Sequence, residues 1–158
     1  MSTKWTEKEG VVYFSLFSDA KTGSEWLRHF SRLKVGVSLN ATKILQSAEF
    51  LPSSAGTLHK VAVIKGNVFN QRVRSTEQIR KWALLQGFRI PNLEVSPHIR
   101  SSFSNEEIKE MGLEEIVTFH EPVNGRFLDI DADTGELESA PAGEEDTWHE
   151  EHGFGFVL

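Results

Sequence analysis

The chain has 158 residues, a formal net charge of −6, 39% hydrophobic residues and no cysteine. This composition is typical of one folded domain, and the lack of cysteine excludes disulfides, thiolate metal ligands and a cysteine nucleophile. No apolar run approaches the roughly 18 residues of a membrane span, and the N-terminus has no apolar signal-peptide core, so we expect a cytoplasmic protein without membrane contact.

The charges are distributed unevenly along the chain. Residues 1–100 contain 15 Lys and Arg against 7 Asp and Glu, whereas residues 101–158 contain 2 against 16. Such an asymmetry indicates either an external partner or two halves of one fold that face each other. The sequence leaves both alternatives open.

The first sixty residues predict a strand, two helices and a second strand. Val11–Phe17 is a β-branched and aromatic run, which favours a buried strand. Thr22 and Glu25 then have capping-box spacing, although Ser24 is an alternative cap, and apolar residues follow at helical spacing: Trp26, Leu27, Phe30 and Leu33. A second helix is expected after Asn40 as its cap, and Lys60–Lys65 predicts a short central strand.

The next fifty residues predict two capped helices joined by an irregular connector. Ser75 caps a helix that runs through Gln86, and Gly87 ends it in the left-handed conformation. The two prolines of Arg89–Pro97 favour an extended, irregular connector. Ser104 and Glu107 form another capping box, and Gly112 closes that short helix.

The stretch from Leu113 to Ser139 predicts three antiparallel strands. Asn124-Gly125 favours a type I′ turn, which places His120 opposite Asp129 and Thr118 opposite Asp131. This register gathers four apolar residues on one buried face: Val117, Phe119, Leu128 and Ile130. A four-residue second loop, 132–135, keeps Leu137 on that face opposite Ile130.

These elements predict an α+β fold. We expect a single α+β domain over residues 1–143, with a mixed or antiparallel sheet that includes a C-terminal three-stranded meander (about 115–139) packed with three to four helices. Residues 144–158 are predicted to be an acidic C-terminal tail with an apolar end.

The predicted register places acidic side chains in two rows on the outer face of the meander: His120–Asp129–Glu138 and Thr118–Asp131–Glu136. Opposed like charges destabilise a sheet, so the acidic rows require an explanation. The alternatives are hydration, a basic patch from the first hundred residues, a bound cation or a partner. In the cation interpretation, His120, Asp129 and Glu138 bind a divalent metal. His149 and His152 are spaced for a second metal site if their segment is helical.

A basic segment between residues 72 and 100 suggests nucleic-acid or partner binding. Its cations could neutralise phosphates while Trp82 and Phe88 stack on bases, or both aromatics could belong to the core. The cations are Arg72, Arg74, Arg80, Lys81, Arg89 and Arg100. Residues 79–83 and 87–88 are similar to the recognition-domain helix of small actinobacterial nucleoid-associated proteins, which implies nucleic-acid binding, but their basic-glycine-basic hook is absent.

The sequence favours an accessory or interaction protein that binds a macromolecular partner through a charged surface. The alternatives are nucleic-acid binding through the 72–100 segment and a metal-assisted hydrolase on the meander face, with His98 as an outlying base. There is no G-x-S-x-G elbow or phosphate-binding glycine loop, and we predict no cofactor. We expect a protein partner, with nucleic acid as the alternative; the sequence does not indicate the oligomeric state or decide whether the chain is an enzyme.

Overall fold

Residues 4–158 are described in this computed structural model. The strands are β1 (Thr6–Lys8), β2 (Val11–Phe17), β3 (Leu58–Lys65), β4 (Glu115–Thr118), β5 (Arg126–Asp131), β6 (Leu137–Pro141) and β7 (His152–Val157). The helices are α1 (Gly23–Leu33), α2 (Leu39–Leu45), α3 (Thr76–Leu85), α4 (Val95–Ser102) and α5 (Asn105–Glu110), with 3-10 turns at Gly66–Val68 and Gln71–Val73. The seven strands form one mixed sheet in the order β1-β2-β3-β7-β4-β5-β6, which confirms the α+β class.

The last strand of the chain lies in the middle of the sheet. β7 pairs antiparallel with β3 and parallel with β4, so the apolar end of the predicted tail is a central strand. Its phenylalanines, Phe154 and Phe156, are fully buried on one face. Glycine alternates with them because the other face is closely packed: a Cβ at Gly153 would lie 2.6 Å from Val63 Cγ1.

Each face of the sheet carries its own hydrophobic core. On one face, helices α1, α2, α4 and α5 contribute buried side chains such as Trp26 and Ile99. On the other face, Ile79 and Ala83 of α3 pack over the β7 phenylalanines. Burial of each large apolar side chain contributes about 1.5–3 kcal/mol, so the two cores account for most of the favourable free energy of folding.

The helix starts follow capping chemistry. The capping boxes predicted at Thr22 and Ser104 are both formed. A third box was predicted for Ser75 with Gln78, and of its two bonds the one from the Gln78 N–H to the Ser75 side chain is formed. The predicted cap of the second helix is wrong. Ser38, rather than Asn40, accepts the Ala41 N–H, so α2 begins at Leu39.

The predicted irregular connector at Arg89–Pro97 is only partly correct. Helix α4 begins at Val95, inside that segment, and Pro97 is its third residue. A proline is tolerated there because the N–H groups of the first helical turn have no intrahelical partner. The proline therefore lies in the first turn of the helix and does not prevent it.

The meander has the predicted turns but not the predicted first register. Asn124 and Gly125 have φ of 52° and 70°, as a type I′ turn requires, and Val123 pairs with Arg126. Further along, however, Asp129 pairs with Val117 instead of His120. The β4 side of the hairpin therefore contains three more residues than the predicted register allows.

A shift by an odd number of residues inverts the faces of a strand. Ile116, which pairs with Ile130, therefore shares the face of Leu128 and Ile130, while Val117 and Phe119 join the opposite core. The predicted pairing of Thr118 with Asp131 is also wrong, because Glu115 takes that position.

The extra residues form a bulge at Phe119–Pro122. Within the bulge, the ring of His120 takes the place of a backbone acceptor by accepting the Leu128 N–H through Nε2 at 2.8 Å. Pro122 has no N–H to donate to a partner strand. The second turn is as predicted: Leu137 pairs with Ile130, Glu138 pairs with Asp129, and Gly135 has φ of 79°.

Candidate functional site

Four carboxylates lie together on the sheet face that also carries α3. We call them the acidic face: Glu115 of β4, Asp129 and Asp131 of β5, and Glu138 of β6. They share a face because Glu115 pairs with Asp131 and Asp129 pairs with Glu138. The acidic rows predicted for the outer face of the meander are therefore present in part, with Glu115 added to them.

Asp129 is the buried centre of the acidic face. The residue is 3% exposed, and its Oδ1 atom has no hydrogen-bond partner. Burial and the neighbouring carboxylates of Glu115, Glu138 and Asp131 together raise the pKa of Asp129 to about 8. Asp129 therefore holds a proton at neutral pH, since the buried charged form is disfavoured.

The other three carboxylates of the acidic face are partly exposed neighbours of Asp129. Burial raises the pKa of Glu115, with Asp131 and Glu114 adding to the shift, and burial together with Asp131 raises that of Glu138. Asp131 Oδ1 accepts the backbone N–H groups of residues 133 and 134 at 2.8 and 3.1 Å, so this carboxylate also holds the turn. The acidic face thus combines one proton-holding carboxyl with three partly exposed ones.

A histidine and a tryptophan border the acidic face without neutralising it. His152 Nε2 lies 3.6 Å from Glu115 Oε2, but burial and the nearby His149 lower the pKa of His152 to about 4. His152 is therefore uncharged at neutral pH. The Trp148 ring lies 6.0 Å, between centroids, from both His152 and Phe154, and it packs against the apolar core on this face.

No lysine or arginine in residues 4–158 forms an ion pair with these four carboxylates. Two cations lie close by: Lys109 pairs with the neighbouring residue Asp133 at 3.1 Å, and Arg100 approaches the backbone oxygen of Asp131 at 3.5 Å. Protonation of Asp129 relieves part of the mutual repulsion within the acidic face.

The structure does not bring His120 to the predicted metal site beside Asp129 and Glu138. His120 Nδ1 donates to the Glu121 carbonyl at 2.7 Å, and Nε2 accepts from Leu128, so both ring nitrogens are occupied. Burial lowers the pKa of His120 to about 4. Among the described residues, no three His, Asp or Glu side chains are arranged to hold a metal ion. His149 and His152 are not helical neighbours either, because β7 begins at His152.

The six basic residues predicted for nucleic-acid or partner binding do not share one surface. Arg74 donates to the carbonyls of Gly66 and Phe69, Arg80 pairs with Glu144 at 2.7 Å, and Arg89 donates to the Leu158 carbonyl. Arg72 and Lys81 are exposed on the α3 side of the sheet.

The sixth cation, Arg100, is buried in α4 on the opposite face, where it donates to the Phe103 carbonyl at 2.6 Å. The aromatic residues proposed for base stacking are largely engaged as well. Phe88 is 8% exposed, and Trp82 packs partly buried against the same core. The segment therefore offers little aromatic surface for stacking.

A second polar cluster, absent from the sequence-based predictions, surrounds Glu94. This residue is completely buried and accepts hydrogen bonds from Ser18 Oγ at 2.8 Å and the Ser53 N–H at 3.1 Å, with His59 Nε2 at 2.7 Å. These contacts tie the end of β2 and the start of β3 to α4. His98 belongs to the same side of the sheet, 3.8 Å from Asp19, and is therefore remote from the acidic face.

Comparisons with protein-family models, with curated proteins and with solved structures found no match for this chain. Within the part of the chain that the structure describes, no helix has the length and apolar character needed to cross a membrane. The functional argument therefore depends on the geometry of the acidic face.

Proposed function

We propose that this chain is a cytoplasmic interaction protein whose acidic face binds a basic segment of a protein partner. The observation that supports the proposal is the Asp129 carboxyl, which is buried without a hydrogen-bond partner for Oδ1 beside three other carboxylates, none of which forms an ion pair with a Lys or Arg of residues 4–158. Burying a carboxyl oxygen without a hydrogen-bond partner costs free energy, and a bound partner that donates to this oxygen would offset that cost.

Charge complementarity favours a cationic partner. An acidic patch attracts a basic segment, steers its approach and disfavours anionic partners. Nucleic acid is the less favoured alternative, since a polyanion would meet the acidic residues of the last third of the chain. Several of the predicted nucleic-acid contacts, Arg74, Arg80 and Arg100 among them, are also engaged within the protein.

Fluorescence anisotropy with a labelled tetralysine peptide tests this proposal. The face variant is Glu115→Gln/Glu138→Gln, which removes two charges without changing side-chain size. The matched control is Glu77→Gln/Glu145→Gln, which removes two exposed charges elsewhere. We expect the unmodified protein to bind more weakly as salt increases, because exposed charges are screened.

The face variant should lose at least about tenfold in affinity, equivalent to about 1.4 kcal/mol, while the control keeps its affinity. Equal losses in both variants would mean that only net charge matters. Affinity that is unchanged in the face variant would contradict the proposal.

A further inference from the structure

We propose that a surface pocket at the bulge between β4 and β5 binds a small organic cation, with its apolar part inside the pocket and its ammonium group at the mouth. The pocket has a volume of about 280 Å³ and is lined by residues of three segments: 49–51, 91–93 and 120–123. It lies at the end of β4, whereas Glu115 of the acidic face begins that strand. The pocket and the acidic face are therefore separate sites.

The pocket wall is largely apolar. Two of its residues, Leu93 and Val123, are buried and belong to the core beneath α1, α2, α4 and α5, so the pocket opens onto that core. A third, Leu51, is 69% exposed although it is a large apolar side chain. The remaining apolar residues of the wall are Pro91 and Pro122. An apolar ligand that covers Leu51 removes this surface from water, which favours binding.

The first two segments are tied together by hydrogen bonds. Asn92 Nδ2 donates to the Leu51 carbonyl at 3.1 Å, and Asn92 Oδ1 accepts the Glu94 N–H at 2.8 Å, next to the start of α4. Phe50 is buried in the core and anchors the first segment, while Pro52 restricts Leu51 to an extended backbone. These contacts fix Leu51 at the pocket wall.

The third segment is the bulge itself. The His120 ring, which also lines the pocket, donates to the Glu121 carbonyl at 2.7 Å and accepts the Leu128 N–H at 2.8 Å. Bulges commonly re-aim side chains next to binding sites, and this one places Pro122 and Val123 in the wall. Because the wall is already ordered, a ligand binds without the cost of ordering loops.

Two carboxylates determine which charge the ligand carries. Glu49 and Glu121 are exposed residues of the pocket lining, and neither forms an ion pair with a Lys or Arg of residues 4–158. No described Lys or Arg lines the pocket either. An ammonium group at the mouth therefore gains charge-assisted contacts with these carboxylates, whereas an anion is repelled.

The volume sets the size of the ligand. An apolar protein cavity of about 150 Å³ holds one benzene molecule. The pocket, at about 280 Å³, has room for such a ring and a short chain. The ligand class is therefore an amine with one apolar ring or branched chain and about ten non-hydrogen atoms.

A ¹H–¹⁵N NMR titration of the full chain with phenethylamine tests the proposal. We expect shifts concentrated at residues 49–51, 92–93, 120–121 and 123, with a Kd in the roughly millimolar range or tighter. Phenethyl alcohol has the same size without the charge and should bind at least about fivefold more weakly. Two further probes, 3-phenylpropionate and ethylamine, should leave these residues unshifted, since the first has the wrong charge and the second has no apolar part.

Matched variants separate the wall from the mouth. Leu51→Ser should weaken phenethylamine binding at least about threefold, because it removes part of the apolar wall. Leu85→Ser, a change at a 76% exposed leucine on α3, should keep the affinity. Glu49→Gln/Glu121→Gln should lower the affinity for phenethylamine to that for phenethyl alcohol. These positions are exposed, and the dispersion of the ¹H–¹⁵N spectrum verifies that each variant is folded.

The possible results separate this pocket from the acidic face. Equal affinity for the amine and the alcohol would overturn the preference for a cation and with it the proposal. Shifts outside the three segments, or equal losses in Leu51→Ser and Leu85→Ser, would overturn the site. Glu115→Gln/Glu138→Gln should keep phenethylamine binding, and a loss there would place the amine at the acidic face instead. Failure of the pocket leaves the proposed function standing, because that function is tested with tetralysine.

Discussion

Asp129 on β5 and Glu115 on the neighbouring β4 lie diagonally across from each other on one face of the sheet, and Glu115 contributes, after burial, to raising the pKa of Asp129 to about 8. The proton on Asp129 lowers the repulsion within a buried acidic centre. It also links the stability of the fold to pH.

Stability should fall as the pH rises towards 8. The unfolded chain loses the Asp129 proton near 3.8, whereas the folded protein keeps it until about 8, so the folded state binds more protons between these values. Between pH 6.5 and 8 the free energy of unfolding should decrease by about 1–2 kcal/mol in the unmodified protein. Asp129→Asn should flatten this decrease in urea unfolding curves, and an equally steep decrease in the variant would argue against a proton on Asp129.

His120 should be required for stability rather than for metal binding. His120→Phe leaves the Leu128 N–H and the Glu121 carbonyl without their partners, which should cost about 1–3 kcal/mol of unfolding free energy. His120→Gln, which can both accept and donate, should recover part of this loss. Urea unfolding at pH 7 measures the stability of both variants. An unchanged free energy of unfolding in His120→Phe would show that the bulge does not depend on the imidazole hydrogen bonds.

Two buried histidines should make the protein sensitive to acid. The pKa values of His120 and His152 are lowered to about 4, below the ordinary value of 6.5, so the unfolded state binds more protons between these values. Their contribution to stability is complete above pH 6.5 and is lost as the pH falls towards 4. His120→Gln should reduce this acid-side loss, as measured by urea unfolding at pH 5 and 7, and an unchanged slope would contradict the assignment.

Glu94 should be among the most sensitive polar positions of the fold. Burial raises the pKa of Glu94, but hydrogen bonds from Ser53, His59 and Ser18 outweigh burial and leave this pKa below its ordinary value. Glu94→Ala removes the shared acceptor and should cost about 3–5 kcal/mol. Ser18→Ala removes one of these bonds and should cost about 1 kcal/mol. Thermal unfolding of both variants tests the ranking, and similar losses would contradict a central role for Glu94.

Local patterns predicted those parts of the fold that local chemistry determines. The caps at Thr22 and Ser104, the type I′ turn at Asn124-Gly125 and the second meander turn all depend on a few neighbouring residues, and all four are as predicted. The α+β class follows from the same elements.

The predicted register of β4 against β5 was wrong because the His120 side chain takes the place of a backbone acceptor. The sequence contains no direct sign that His120 would accept the Leu128 N–H and allow three extra residues into the β4 side. Pro122 was the available signal, since it cannot donate a hydrogen bond to a neighbouring strand. Three members of the acidic face, Asp129, Asp131 and Glu138, were nevertheless identified from the sequence.

His152 was missed because of its distance along the chain from its neighbours in the sheet, whereas Glu115 was missed because the predicted register of β4 against β5 was shifted by three residues. β7 follows an acidic, glycine-containing segment and reaches the centre of the sheet through pairing with β3, whose paired residues lie 88 to 96 positions earlier. Alternating glycine and phenylalanine in residues 153–156 was the signal for a strand with one crowded face. Only this long-range pairing places His152 beside Glu115.

The most direct test of the account is a carboxyl carbon NMR titration of Asp129, with and without tetralysine. The account predicts a midpoint near pH 8 in the free protein, since burial and three neighbouring carboxylates raise the pKa of Asp129 to about 8. Tetralysine should shift that midpoint downwards while leaving exposed Glu145 unaffected. An Asp129 midpoint near 4 would contradict the protonated acidic centre, and a midpoint near 8 that tetralysine does not move would contradict binding of a basic segment at the acidic face.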